Sequence, residues 1–244
     1  MAISDHIKQC GKVAGGPAMK QPFPGVHQVL SGYVNAFVVE SDDGLVLIDA
    51  GLPKSETRIL RALARRGWQP HDVKHIIITH AHPDHMGGLT AMVKATGAQC
   101  WVHEADADAV EAGIPLPVFP GPGILAHLLF SGARMMNSKI APARVDHRVK
   151  DGDVLPGGLV AVHAPGHSAG QIALIQPDQR LLFAADSVMN LWGLQLSFLN
   201  ADREQAGRTA ARIAGLDFDR ALFGHGSPIT QNAAEKFREA FVRP

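Results

Sequence analysis

A run of β-branched residues, Ile76–Thr79, is followed directly by the most crowded polar stretch of the chain, which reads HAHPDH at positions 80–85. Such a run is typical of a strand that is covered on both faces, as in a parallel sheet. Histidine and aspartate side chains are costly to hold at the end of a buried strand unless something binds them. The chain is therefore expected to build a covered sheet that ends in a polar site.

The order of the patterns around this stretch predicts an α/β domain built in layers. Strand patterns, which are apolar or β-branched and separated by turn residues, occur at 26–30, 33–40, 45–49, 75–79, 100–103, 154–167, 171–176, 180–186 and 220–226. Helical patterns lie at 55–67 with Ser55 as cap, at 86–96, at 202–216 with Asp202 and Gln205 as a capping box, and from about 231.

The chain of 244 residues is 46% hydrophobic and 19% charged, which is enough apolar material for one large domain. Residues 1–25 are rich in Gly and Pro and predict an irregular N-terminal arm. Residues 26–244 are expected to form a single domain with a flap inserted at about 104–145, where four prolines fall between positions 115 and 122.

The net charge argues against two classes of partner, and the cysteine content indicates the compartment. Lys plus Arg and Asp plus Glu both total 23, so no net field favours nucleic acid or an anionic membrane. Two cysteines are too few for a disulfide framework, and the N-terminus has no apolar signal region. We predict a soluble, cytoplasmic protein that acts on a small molecule.

Strand-like runs and one Pro-Gly turn deliver side chains of the kinds that bind metal ions. They are His80, His82, Asp84, His85, His167, Asp186 and His225. Strand ends on a rigid sheet meet at one crevice, so we expect these side chains to converge. Imidazole and carboxylate suit zinc and its neighbours, and the absence of cysteine at these positions disfavours a closed structural zinc site. Seven candidates exceed one tetrahedral ion and fit two ions.

The pattern resembles the metallo-β-lactamase superfamily. His80-x-His82-x-Asp84-His85 with Gly87-Gly88 precedes His167 in PGHSAG, Asp186, and His225 in GHG. The resemblance spans roughly residues 26 to 230 and implies a four-layer αββα sandwich with the metals at the edge between two β-sheets. It also implies a ligand set. One metal would bind His80, His82 and His167, the other Asp84, His85 and His225, and Asp186 would bridge both.

Asp49, in the stretch LIDAG, matches an aspartate that the family places beside the site, where it can orient a ligand. A turn-forming Asp before Ala-Gly is an equal alternative. His103 and His163 match no family ligand and are interpreted as structural.

The resemblance implies two divalent metal ions, with zinc first and iron or manganese as alternatives. A hydroxide bridging two such ions is a nucleophile at neutral pH, because a metal lowers the pKa of bound water from about 15.7 to about 7. It would attack an acyl carbon or phosphorus, and Asp84 could steer it or pass a proton to the leaving group. The predicted reaction is hydrolysis.

Departures from individual branches narrow the substrate. Zinc β-lactamases usually lack the bridging aspartate, so Asp186 argues against a β-lactam as the main substrate. Glyoxalase-II-like thioesterases carry a C-terminal substrate domain, and 19 residues follow His225, which argues against a glutathione thioester. Lactonases and small esterases fit best, although acyl-homoserine-type lactonases place a Tyr after the bridging Asp and this chain has Ser187-Val188-Met189-Asn190. We predict cleavage of a lactone, ester or thioester.

Apolar residues of the flap and of the segment after Asp186 are candidates for lining the substrate pocket. They include Phe119, Phe130, Met136 and Trp192. The same residues could pack the flap onto the core or form a homodimer interface, so these alternatives stay open.

Other functions also stay open. One branch of the superfamily uses a similar motif with a single iron, which gives a mononuclear iron sulfur dioxygenase as the alternative, and a phosphodiesterase would use the same ligands. A non-catalytic metal-binding protein is disfavoured because the ligand set is intact.

Overall fold

The structure, a computed structural model, describes residues 19–30, 34–117, 119–120 and 140–242. Its strands are β1 Lys20–Phe23, β2 Val26–Leu30, β3 Asn35–Ser41, β4 Gly44–Ile48, β5 Val73–Ile78, β6 Gln99–His103, β7 Phe119–Pro120, β8 His147–Val149, β9 Val154–Leu155, β10 Leu159–His163, β11 Ile172–Gln176, β12 Leu181–Phe183, β13 Met189–Asn190, β14 Leu194–Gln195, β15 Leu199–Asn200 and β16 Arg220–Leu222. Its α-helices are α1 Glu56–Arg65, α2 Pro83–Met86, α3 Leu89–Thr96, α4 Glu104–Ala112, α5 Arg203–Ala214 and α6 Ala233–Phe241.

Two sheets carry the polar strand ends. The larger has the order β1-β2-β3-β4-β5-β6-β8, antiparallel from β1 to β4 and parallel from β4 to β8. The smaller has the order β16-β12-β11-β10-β9, in which β12 and β16 run parallel. Because β4 and β5 are parallel neighbours, Asp49 and the 80–85 stretch leave the sheet at the same edge. The parallel pair β12 and β16 does the same for Asp186 and His225.

Side-chain alternation along the strands sorts the core into layers. In β5, Ile76 and Ile78 pack with residues of α1, α3 and α4, whereas Ile77 packs between the two sheets. In β12, Phe183 points between the sheets while Leu182 packs with residues of α5 and α6. Helices therefore cover the outer face of each sheet, and the predicted αββα sandwich is confirmed.

The flap prediction is wrong for residues 104–112, which form α4 and belong to the core of the domain. Ala107 and Val110 share one face of this helix and are buried against the large sheet. The stretch is rich in alanine and aspartate, and its buried face is only a narrow apolar stripe, so its composition does not indicate a core helix. Phe130 and Met136, predicted as substrate contacts in the flap, lie outside the described residues.

Three smaller differences concern element ends. Residues 20–23 of the arm predicted to be irregular form β1 at the edge of the large sheet. The helix predicted over 86–96 is divided into α2 and α3 at Gly87-Gly88, where a Cβ on Gly88 would meet the carbonyl oxygen of Ala50. Ser55 precedes α1 but makes no side-chain cap, because its backbone is already helical.

Half of the predicted capping box is confirmed, since the Asp202 carboxylate accepts a hydrogen bond from the Gln205 backbone N–H at 2.9 Å. The Gln205 side chain instead contacts Thr209 and Arg208. Across the described residues, no helix is both long and apolar enough to span a bilayer.

Candidate metal centre

The HAHPDH stretch leaves β5 as a tight loop and then makes one helical turn. His82 is the N-cap residue of α2 with Pro83 in the first turn, and the Met86 N–H donates to the His82 carbonyl at 2.9 Å. Proline suits this position because its missing N–H would have no helical partner there. The turn brings His85 back over the strand end, where it is fully buried together with His80.

The fold brings all seven predicted ligands together in overlapping groups. Ligand atoms lie within 4.8 Å of one another in each of three groups, which are His80/His82/His167, His80/His85/Asp186 and Asp84/His85/His225. The Asp186 carboxylate lies 3.5 Å from His85 Nε2, 3.7 Å from His167 Nε2 and 3.1 Å from His225 Nε2. Asp186 is therefore the residue that adjoins both outer groups.

Hydrogen bonds fix the orientation of three of the histidine rings. The Nδ1 atom of His85 lies 2.7 Å from an Asp49 carboxylate oxygen, that of His167 lies 2.7 Å from the Leu199 carbonyl, and that of His80 lies 3.0 Å from the Thr79 hydroxyl. Metal-binding histidines almost always use one ring nitrogen in this way and bind the metal with the other.

Several buried polar atoms at the centre fit the bound metal that the family implies. Nε2 of His80, His82 and His85 and Oδ1 of Asp186 are buried and have no hydrogen-bond partner among the described residues. Buried nitrogens and oxygens normally have one, because leaving them unpaired costs free energy. A divalent cation between His80, His85 and Asp186 would satisfy three of these atoms with the donor types that zinc prefers.

Electrostatics divides the histidines into two kinds. Burial lowers the pKa of His80 and of His82 well below the ordinary value, so both are neutral, as metal ligation requires. For His85, burial acts against the charged form, but the Asp186 and Asp49 carboxylates outweigh it and raise the pKa to about 9. Asp186 likewise raises the pKa of His225 despite its burial. The same carboxylates would favour a metal cation beside these two rings.

Backbone conformation at two strand ends is unusual and serves the site. Asp49 has φ 62° and Ala185, directly before Asp186, has φ 48°. Non-glycine residues seldom adopt this region, and strain of this kind concentrates at functional sites. At Asp49 the turn directs the carboxylate back to the Thr79 N–H at 2.8 Å and to Nδ1 of His85 at 2.7 Å, so the carboxylate holds the His85 ring.

Close packing around His225 depends on a glycine. A Cβ on Gly224 would collide with the Asp186 carboxylate and approach the His85 ring. Asn35 at the start of β3 holds the same loop, since its amide donates to the carbonyls of Phe223 and Gly226, each at 3.0 Å. Asn35 was not predicted, because nothing in an apolar strand pattern indicates which distant loop an amide will meet.

Asp106 was also missed. This residue of α4 is fully buried and hydrogen-bonds to the loops that carry His80, His82 and His167. Its position four residues before Val110 places it on the buried side of α4, which is the signal that could have identified it.

Of the predicted substrate contacts, two lie in the described residues, and both are exposed. Phe119 is 60% exposed and Trp192 is 77% exposed. His103 and His163, predicted to be structural, stack on each other at 4.1 Å and belong to none of the three ligand groups.

The sequence is similar to those of curated proteins of two kinds. It is 26% identical over 227 residues to a probable metallo-hydrolase, YflN, of Bacillus subtilis (strain 168), covering 84% of this chain and 85% of the relative. It is 34% identical over 187 residues to a hydroxyacylglutathione hydrolase of Rhodobacter capsulatus, covering 75% of this chain. The matched part spans 57% of that enzyme's length.

Solved structures share the fold. A metallo-β-lactamase family protein from Thermus thermophilus superposes with a TM-score of 0.68 at 21% identity, over 89% of this chain and 78% of that one. BJP-1, a subclass B3 metallo-β-lactamase of Bradyrhizobium japonicum, gives 0.66 at 24% identity, over 89% and 88%. The sequence profile of the metallo-β-lactamase superfamily matches residues 30–225, which include every residue of the three ligand groups. The chain therefore belongs to the metallo-β-lactamase superfamily.

Proposed function

We propose that the protein is a dinuclear metal-dependent hydrolase that cleaves a lactone, ester or thioester of a small, apolar substrate. The observation that carries the proposal is the presence of two separate three-residue ligand groups with Asp186 beside both. When bound, two divalent ions would supply a nucleophile at neutral pH and polarise the oxygen that gains charge. Zinc is our first choice of metal, and iron and manganese suit the same donors.

Asp84 is the residue we assign to proton transfer. Its side chain is 17% exposed, whereas that of Asp186 is 4% exposed, so Asp84 stands nearer the opening through which a substrate enters. Burial acts to raise the pKa of Asp84, but His85 and His225 outweigh it and lower the pKa, which keeps the carboxylate ionised. An ionised carboxylate at the opening can accept a proton and return it to a leaving group.

Two exposed aromatic rings support an apolar substrate. Phe119 lies in β7, which pairs with β15, and Leu199 of β15 binds the ring of His167 through its carbonyl. Trp192 follows Asn190, whose N–H donates to the His225 carbonyl at 3.1 Å. The segment that carries each ring is thus joined by backbone pairing or a hydrogen bond to the neighbourhood of a proposed metal ligand. From there the ring can contact an acyl chain.

The related sequences support hydrolysis as the reaction class. The Rhodobacter relative is named as a hydrolase of hydroxyacylglutathione, and the Bacillus relative as a probable metallo-hydrolase. We infer an acyl substrate from the first of these names and leave its leaving group to experiment.

The test is metal analysis of the purified protein together with a substrate panel of lactones, aryl esters, thioesters and phosphodiesters. We expect about two metal ions per chain and hydrolysis of an acyl substrate. Asp84→Asn should lower kcat about 10²- to 10⁴-fold, the usual contribution of a positioned acid or base. Asp42→Asn, in an exposed turn, is the control and should leave kcat unchanged.

Other results would replace the proposal. Preferential cleavage of phosphodiesters would indicate a phosphodiesterase. One iron per chain with oxygen uptake on a persulfide would indicate the dioxygenase.

Aromatic contact with the substrate has its own readout. Trp192→Ala and Phe119→Ala should raise KM more for long acyl chains than for acetyl esters. An equal effect on both would argue that these rings pack elsewhere.

A further inference from the structure

We propose that Asp106 is a positioning residue for one of the two metal sites, the site formed by His80, His82 and His167. The inference rests on the metal binding of the proposed function and is independent of the substrate. It concerns how the chain sets the distance between two ligand-bearing loops.

The Asp106 carboxylate accepts three hydrogen bonds from these loops. Oδ2 accepts from the Ala81 N–H at 2.9 Å and from the Ser168 hydroxyl at 2.8 Å, and Oδ1 accepts from the Gly170 N–H at 2.6 Å. The side chain is 0% exposed. Hydrogen bonds to a buried charged acceptor are among the strongest in proteins, so this contact is a firm one.

The three donors are close neighbours of the ligands of one site. Ala81 lies between His80 and His82, and Ser168 directly follows His167. Asp106 therefore joins the two loops that contribute this group of ligands. The corresponding carboxylate beside His85 is Asp49, which accepts from Thr79 and His85.

The geometry of this metal site depends on the separation of the two loops. Nδ1 of His82 lies 2.8 Å from Nε2 of His167 although the two residues are 85 positions apart. Metal-ligand distances are fixed to within about 0.2 Å, so a small shift of either loop weakens binding. A contact that reaches both loops can set this separation.

The helix that carries Asp106 is fixed to the core of the domain. Asp106 sits on α4, which packs on the large sheet through Ala107 and Val110. Gly170 allows the second loop to approach this helix, because a Cβ there would meet the Asp106 backbone nitrogen and carboxylate at 2.5 to 2.7 Å. The loops are thus held to a fixed point of the scaffold.

Asp106→Asn is the decisive variant because it changes the acceptor with little change in size. One side of the carboxylate becomes an NH₂ group, which cannot accept from an N–H or from a hydroxyl. Either the Ala81 N–H or the Gly170 N–H therefore loses its acceptor. We expect the affinity of the site of His80, His82 and His167 for Zn²⁺ to fall about 10- to 100-fold, as for other residues that orient metal ligands.

The experiment measures Zn²⁺ affinity without substrate, by competition with a chromophoric chelator, in two backgrounds. His225→Ala leaves the group of His80, His82 and His167 intact, whereas His82→Ala leaves the group of Asp84, His85 and His225. The absorption spectrum of bound Co²⁺ gives the ligand geometry in each background.

We expect Asp106→Asn to weaken Zn²⁺ binding and alter the Co²⁺ spectrum in the His225→Ala background and to change neither in the His82→Ala background. Asp108→Asn is the matched control on the same helix, because its exposed side chain pairs with Arg148 at 2.7 Å, and it should have no effect in either background.

Ser168→Ala keeps the proposal testable if Asp106→Asn does not fold. It removes one of the three hydrogen bonds and should weaken binding roughly 2- to 10-fold, in the His225→Ala background alone. Equal weakening in both backgrounds, an unchanged affinity in both, or no Zn²⁺ binding by the wild-type protein would each overturn the proposal. Zn²⁺ binding with the expected selectivity but no hydrolysis would count against the proposed function alone.

Discussion

Replacing Asp49 with asparagine should weaken the site of Asp84, His85 and His225 by changing which nitrogen of His85 carries the proton. Asp49 accepts from the Thr79 N–H at 2.8 Å through Oδ1 and from His85 Nδ1 at 2.7 Å through Oδ2. The Thr79 N–H can only donate, so the amide oxygen of the new side chain must face it and the NH₂ group must face His85. In the neutral ring that metal binding requires, Nδ1 of His85 then becomes the acceptor and the one proton lies on Nε2, the atom directed at the metal centre.

The size of this effect follows from what the substitution leaves unchanged. Asparagine tolerates the positive φ of position 49 better than most residues, so the backbone keeps its shape. What the substitution removes is the hydrogen bond that orients His85. Losing such a contact lowers metal affinity about 10- to 100-fold, which is about 1.4 to 2.7 kcal/mol. Asp49→Ala should cost more, because it leaves the buried Thr79 N–H and the His85 ring without an acceptor.

The assay is the Zn²⁺ competition titration in the His82→Ala background, with Asp42→Asn as the exposed control from the neighbouring turn. Thermal unfolding of the metal-free variants checks that the fold is intact. If Asp49→Asn binds Zn²⁺ within about twofold of its background, the tautomer of His85 does not matter and the reasoning is wrong.

Three further outcomes are expected. Gly224→Ala should lower metal content, because the added Cβ would collide with the Asp186 carboxylate and crowd the ring of His85. Its control is Gly207→Ala on α5, where an added Cβ meets no atom within 4 Å, so metal content should not change. Gly207→Ala should also raise the free energy of unfolding in urea by about 0.5 to 1 kcal/mol. Phe183→Ala, between the two sheets, should reduce the free energy of unfolding by about 3 to 5 kcal/mol in the same assay, and a loss under about 1 kcal/mol would contradict the packing described. Removing metal with a chelator should lower the thermal midpoint and re-adding Zn²⁺ should restore it, since a ligand that binds the native state stabilises it; an unchanged midpoint would contradict metal binding by the folded protein.

Local pattern was sufficient for an α/β domain built in layers and for the ligand types, whereas the four-layer αββα arrangement came from the family resemblance. The unbroken apolar run of β5 predicted a strand covered on both faces, because a strand turns successive side chains to opposite faces and both sets are apolar. The crowding of His80, His82 and His85 after a buried strand indicated bound ions, because packing alone gives no reason for buried polar groups there. These inferences use neighbours in the chain, whose geometry a short sequence specifies.

Tertiary structure decided what depends on partners far apart in the chain. The sequence did not reveal that α4 belongs to the core, that Asn35 holds the loop of His225, or that Asp106 joins two ligand loops. It also left open which nitrogen of His85 and of His167 faces the centre, which the contacts of Asp49 and Leu199 determine. A hydrogen bond between distant residues leaves no periodic trace, because it depends on how sheets and helices pack. The sequence by itself determined which groups can bind metal, and the packed fold decided which atoms they present to it.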